Sequence, residues 1–235
     1  MSKYSKMKHL LFATCLFFAG TTVAQDHSRT NAFGTNSTDT LAGSVLNESN
    51  GEYAVFGQMS WGSFDANPQG SQPYDVIGED NNFLGVYNPD GTVKWAFCPT
   101  YSSGTPQGMS KDPALNGAGS TSVKSQLPVN YNSWNDAAFQ SNGNIVVVGA
   151  VEWSSYDFDP IGGSQVEIFP FGWSDIIMAI YDTQGNLVWL HHTGANQNYA
   201  TSVAVDQNDD YVVGGFHDGA SIDFDPGGTG VSPIG

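Results

Sequence analysis

Beyond residue 40, the apolar residues of this 235-residue chain fall in short runs broken by Gly-, Asn- and Asp-containing turns. Residues 53–57 (YAVFG), 145–149 (IVVVG) and 211–215 (YVVGG) each follow an Asn-Gly or Asn-Asp turn. Each is preceded by a shorter run, at 44–46, 137–139 and 202–205. Further runs follow at 83–87 (FLGVY) and 176–181 (IIMAIY), and again at 92–97 (TVKWAF) and 187–190 (LVWL). Short β-branched and aromatic runs bounded by turn residues predict strands. Pro89-Asp90-Gly91 and Thr183-Gln184-Gly185-Asn186 predict tight hairpins, because glycine tolerates the positive φ such turns need. No stretch beyond residue 24 carries a helical period.

These strands recur as units. Asn142-Gly143-Asn144 and its IVVVG run lead to Tyr156-Asp157-Phe158-Asp159-Pro160. Asn208-Asp209-Asp210 and its YVVGG run lead to Ile222-Asp223-Phe224-Asp225-Pro226, with every position offset by 66, as from 157 to 223. An earlier, degenerate copy runs from Asn50-Gly51-Glu52 through YAVFG to Phe64-Asp65-Ala66-Asn67-Pro68, offset by 92 from the second; Trp61 and Trp153 keep that offset. The additional length falls mostly in 99–133, rich in Gly, Ser, Pro and Asn, which predicts a loop inserted between units.

Tandem units of four short antiparallel strands predict an all-β fold, a partial β-propeller of four-stranded blades covering about two and a half repeats. Such a sheet has two apolar faces and needs a neighbour on each; Val146, Val148 and Trp189 are candidates for the layers between sheets. The expected boundaries are 41–98 for the first repeat, 134–199 for the second and 200–235 for a truncated third, with 25–40 as a polar linker. A propeller generally has ~4–8 blades, so the chain is read as a fragment of a longer product.

The first 24 residues change the charge and the compartment. Lys3, Lys6 and Lys8 precede an apolar run at 10–20, and Thr22-Val23-Ala24 precedes Gln25 as a small-x-small cleavage pattern. This is the layout of a secretory signal peptide, whose apolar run is short of the ~20 residues of a membrane span. After cleavage, Arg29, Lys94, Lys111 and Lys124 face 23 acidic residues, a net charge of −19 (4 − 23). Nucleic acid and anionic membranes are poor partners for such a surface. Cys98 alone remains beyond the signal, so no intrachain disulfide forms and Cys98 is expected in the core.

At the Asp-Phe-Asp-Pro element, with its N-x-x-x-V-V-x-G-like strand before it and a Gly-containing turn and Val-Trp after it, the chain resembles the β-propeller (SBBP-type) repeats of large secreted bacterial proteins, often of the Bacteroidetes. The resemblance covers residues 41 to the end, and the first copy departs from it with Asp65-Ala66-Asn67. It implies extracellular or cell-surface placement and assigns no reaction.

Candidate chemistry is sparse. Asp157 with Asp159, and Asp223 with Asp225, would each present two carboxylates on one side of a strand with Phe158 or Phe224 on the other. Paired carboxylates suit calcium but supply only part of its ~6–8 oxygen ligands; the competing reading is that they cap the turn through backbone amides while the Phe fills the core. Residues 206–210 (DQNDD) resemble the start of a calcium loop but have Tyr211 at its sixth position and His217 at its twelfth, and read better as a hairpin turn. His191 and His192 are adjacent and point to opposite faces, which makes poor zinc ligation. No G-x-S-x-G, Walker A or H-E-x-x-H pattern is present. Trp61, Trp153 and Trp173 are candidates for exposed platforms that bind a protein or glycan, and the loops at 99–133 and 169–173 are the expected contact regions. The expected function is a secreted or surface-displayed, non-catalytic module without a cofactor. Alternatives are an accessory domain of a longer secreted enzyme and a calcium-stabilised adhesin.

Overall fold

The computed structural model describes residues 39–60, 62–78, 81–101, 132–152, 156–163, 165–168, 170, 173–194 and 197–218. Regular structure among them is entirely β. The first sheet is an antiparallel meander of β1 (Thr40–Leu46), β2 (Tyr53–Met59), β5 (Asn81–Tyr87) and β6 (Val93–Phe97), in the order β1-β2-β5-β6. Between β2 and β5 a small hairpin branches off, β3 (Gly62–Asp65) with β4 (Asp75–Gly78).

The second unit repeats this plan strand for strand. β8 (Ser133–Phe139), β9 (Ile145–Glu152), β12 (Ser174–Tyr181) and β13 (Leu187–Thr193) form the meander. β10 (Tyr156–Asp157) and β11 (Glu167–Ile168) form its branching hairpin, and β7 (Thr100–Tyr101) adds to the free edge of β10. A third unit begins with β14 (Asn198–Val205) and β15 (Tyr211–His217).

Successive sheets stack face to face by the same step. β8 lies against β1, β2 and β5, and β14 lies against β8, β9 and β12. On the first sheet, Ala54, Phe56, Leu84, Val86, Trp95 and Phe97 turn towards the second sheet and join Ile145, Val147, Ile177, Ala179 and Tyr181 in one core. The opposite parity of the second sheet, Val146, Val148 and Ile176, packs against Ala200 and Val203 of the third. Val146 and Val148 thus occupy the layer expected of them. The far side of the first sheet, with Met59, Phe83, Ala96 and Cys98, is covered by Phe64, Ala66 and Val76 of the branching hairpin. Cys98 is a buried free thiol.

Each unit's opening hairpin contains the same irregularity. A bulge falls between Leu41 and Gly43 in β1, between Trp134 and Asp136 in β8, and between Ala200 and Ser202 in β14. It bends the strand so that a backbone carbonyl presses onto the partner strand at Gly57, Gly149 or Gly215. A Cβ at these positions would collide with the carbonyl oxygen of Thr40, Ser133 or Tyr199. That close approach gives the glycine ending each YAVFG, IVVVG and YVVGG run a physical reason.

Just before each bulge, a side-chain oxygen closes the open end of the hairpin. Ser60 N donates to Asp39 Oδ1 (2.9 Å), Glu152 N to Asn132 Oδ1 (2.7 Å) and Asp218 N to Asn198 Oδ1 (3.2 Å). Several sequence boundaries shift as a result. Asp39 and Thr40 belong to the first unit rather than to a linker, because Asp39 holds its second strand. Within the stretch read as an inserted loop, Thr100 and Tyr101 form β7 at one end and Ser133 opens β8 at the other. β14 begins at Asn198, ahead of the boundary expected at 200. Each complete unit has the four-stranded antiparallel sheet expected of it and adds a short hairpin that frames the Asp-containing loop, six strands in all.

Replacing Gly149 by alanine should cost about 2 kcal/mol or more, since the colliding atom is backbone and cannot rotate away. Gly163→Ala should cost only the ~1–2 kcal/mol of a left-handed residue, because φ there is 73° and a Cβ meets nothing within 4 Å. Urea denaturation of the two variants measures the contrast.

Candidate functional site

Two regions concentrate polar or aromatic chemistry: the Asp-containing loops and a groove between the second and third sheets.

In the Asp-containing loop of the second unit, Asp157 Oδ1 accepts hydrogen bonds from Asp159 N (3.0 Å) and Val166 N (2.9 Å). Asp159, which is buried where Asp157 is half-buried, accepts at Oδ1 from Gly162 N (3.1 Å) and from Leu187 N (3.0 Å), the first residue of β13. The first unit repeats this wiring. Asp65 Oδ1 accepts from Asn67 N and Tyr74 N, both at 2.8 Å, and Asn67 Oδ1 accepts from Val93 N (3.0 Å), the first residue of β6. One acidic residue therefore shapes the loop and the next polar side chain ties it to the last strand of the meander. Phe158 between them is fully buried, edge-on to Trp134 at 5.9 Å. Tyr181 Oη donates to Phe158 O (3.0 Å). Burial, then the carboxylates of Asp159 and Asp157, push that hydroxyl well above the usual phenol range.

This wiring is the turn-capping arrangement. Among the described residues no group of three or more His, Cys, Asp or Glu is placed to hold a metal ion. Asp223 and Asp225, the corresponding pair of the third unit, lie outside the described residues, as do Trp61 and Trp153. Trp173, just before β12, is 63% exposed.

The 206–210 segment forms a hairpin turn. Asp206 Oδ1 accepts from Asn208 N (2.8 Å) and Asp210 N (3.0 Å), and Asp209 takes φ 67°, where the corresponding turns have Gly143 and Gly185 at 87°. Asp209 reaches across to the first hairpin turn of the second sheet. Its Oδ1 accepts from Ser141 N and its Oδ2 from the Ser141 hydroxyl, both at 2.6 Å. These bonds, the hydroxyl's foremost, hold the Asp209 carboxyl below its ordinary range.

The groove lies where β12 and β13 face β15 and has a volume of about 460 Å³. Its wall includes Met178, Trp189, His191, Tyr211, Phe216 and His217. Trp189 stacks on His191 (5.9 Å, 20°) and leans on Tyr211 (6.0 Å). The two adjacent histidines do part to opposite faces: His191 turns into the groove, while His192 Nδ1 lies 2.8 Å from Oδ2 of the buried Asp175. Sequence reasoning placed Trp189 between sheets and missed that His191 and His217 share its cavity. The available signal was the alternation of β13, which sends Trp189, His191 and Thr193 to one face.

The chain matches no model of a known protein family and shows no significant similarity to any curated protein.

Two outcomes follow for these loops. Asp159→Asn should change stability by less than about 1 kcal/mol, because an amide oxygen can accept both bonds, as Asn67 Oδ1 already accepts the corresponding one from Val93 N. Asp159→Ala strands two amides and should cost about 1–3 kcal/mol per amide. Thermal melts of both variants, with Ca²⁺ and with EDTA, read the roles apart: a capping carboxylate leaves the melting temperature indifferent to Ca²⁺. For Asp209, the depressed folded pKa makes its contribution complete above the ordinary aspartate value of about 4 and lost as pH falls through the lower folded value. Carboxyl NMR titration should show that Ser141→Ala moves Asp209 back towards the ordinary value.

Proposed function

We propose that this chain is an exported, non-catalytic repeat module, part of a β-propeller, that binds or displays through its loops. The observation that carries the reading is the recurrence of one stacking step. The first sheet meets the second through the same strands and the same face as the second meets the third. A step repeated without change generates either a closed ring of blades or an open stack, and four-stranded meanders are the usual blade.

The rest of the reading is drawn from the sequence. The signal-like leader and the net charge of −19 beyond it (4 − 23) suit an extracellular protein that avoids nucleic acid and anionic membranes. Resemblance to SBBP-type repeats points the same way. Among the described residues, the carboxylates of the repeated motif are engaged with backbone amides, which favours scaffold over catalysis. Ligand contacts are assigned to loops, with Trp61, Trp153 and Trp173 as platforms for a protein or glycan.

Two measurements test the reading. N-terminal sequencing of protein from the natural host should find Gln25 at the start of an extracellular or surface-bound form; an intact Met1 in the cytosol would overturn export. Electron microscopy of the product of the whole reading frame should show a ring of blades about a central hole. A straight or helical stack would overturn the propeller.

A further inference from the structure

We propose that the bulge of β8 is a docking site for a second bulged hairpin, with Asp136 as the residue that selects which hairpin it accepts. The inference rests on the stacking of the sheets and is independent of export and of closure into a ring.

A bulge leaves backbone groups outside the ladder, and buried groups of that kind need another partner. In β8 and β14 the bulges match, at residues 134–136 and 200–202, offset by 66. Asn135 Nδ2 donates to Ala200 O (2.7 Å), and Val203 N donates to Asp136 Oδ2 (2.8 Å). Adjacent side chains on one bulge thus grip the backbone on either side of the next, at two buried residues. The other oxygen of the same carboxylate, Asp136 Oδ1, accepts from Ala137 N (2.9 Å). Ala137 N is the amide of the second unit that corresponds to Val203 N of the third. One carboxylate therefore serves the same amide in two successive units.

The three units differ at this point. The position after the bulged residue is Gly43 in the first, Asp136 in the second and Ser202 in the third. Beside Gly43 the Phe56 ring takes the space, 3.0 Å from where a Cβ would lie, and Phe56 belongs to the apolar core between the first two sheets. With Ser202 in place of an aspartate, β14 leaves Val203 N to the carboxylate of the preceding unit. A hairpin with its own aspartate there, as β8–β9 has, would bring two carboxylates to one amide, where like charges repel. The site accepts a bulged hairpin of the β14–β15 kind and rejects a second copy of β8–β9. That keeps the second unit of one molecule from docking on the second unit of another.

NMR and amide hydrogen exchange on the full chain test this. In the unaltered protein, a scalar coupling through the hydrogen bond should link Val203 N to Asp136 Cγ. Asp136→Ala should speed exchange at Val203 and along β14–β15 at least about tenfold, with the first sheet within about twofold. Asp136→Asn should not rescue it, because the amide has one accepting atom where the carboxylate uses two. Ser202→Asp, at an exposed position, should speed exchange along β14–β15 by a similar factor, while Ser202→Asn stays within about threefold. These two variants leave Asp136 in place, so they decide the matter if its replacements fail to fold. The proposal is overturned by absence of the coupling, by unchanged β14–β15 exchange in Asp136→Ala, or by equal acceleration in all three sheets. Full rescue by Asp136→Asn, or equal exchange in the two Ser202 variants, overturns it as well.

Discussion

The structure depends on one constraint: its four-stranded sheets carry apolar side chains on both faces. A half-buried sheet can turn polar residues to water on one side, but β9 is buried along nearly its whole length, from Ile145 to Val151. Such a strand is stable only with a partner above and another below. The second sheet satisfies this by presenting Val147, Ile177 and Ala179 to the first sheet and Val146 and Val148 to the third. The first sheet solves the same problem differently, covering its far side with its own branching hairpin. β15 differs among the described residues: Val212 and Phe216 are 75% and 47% exposed, while Ala54 and Val146, at the positions corresponding to Val212, are fully buried.

Stacking of this kind places irregular backbone next to the core, where unpaired amides are costly. Short polar side chains answer that cost in the same places in each unit. Asp39, Asn132 and Asn198 close the hairpin mouths, while Asp65 and Asp157 shape the loops. Asn67 and Asp159 fasten those loops to β6 and β13. These roles require only an oxygen acceptor at a fixed distance, so Asp and Asn exchange freely between units.

The main architecture was readable because its signals are local. Alternation, the Gly-bearing turns and the constant offsets gave the meander strands, and the Asp157–Asp159 spacing carried its turn-capping role. The branching hairpins escaped notice because β10 and β11 are two residues each and sit among Gly, Pro and Ser, with no alternation to count. Asp39 looked like linker because its partner, Ser60, lies 21 residues away. The groove was legible only in part: alternation along β13 puts Trp189 and His191 on one face, but Tyr211 and Phe216 join that wall only when one sheet is laid on the next, which spacing along the chain does not encode.

The glycine-and-bulge hairpin that opens every unit bears on the order in which the molecule assembles. β1 with β2, β8 with β9, and β14 with β15 are neighbours in sequence, so each can close with little loss of chain entropy before distant contacts exist. Each new hairpin then meets a ready apolar surface on the preceding sheet. A polypeptide delivered N-terminus first can therefore grow its core one layer at a time, each layer serving as the template for the next.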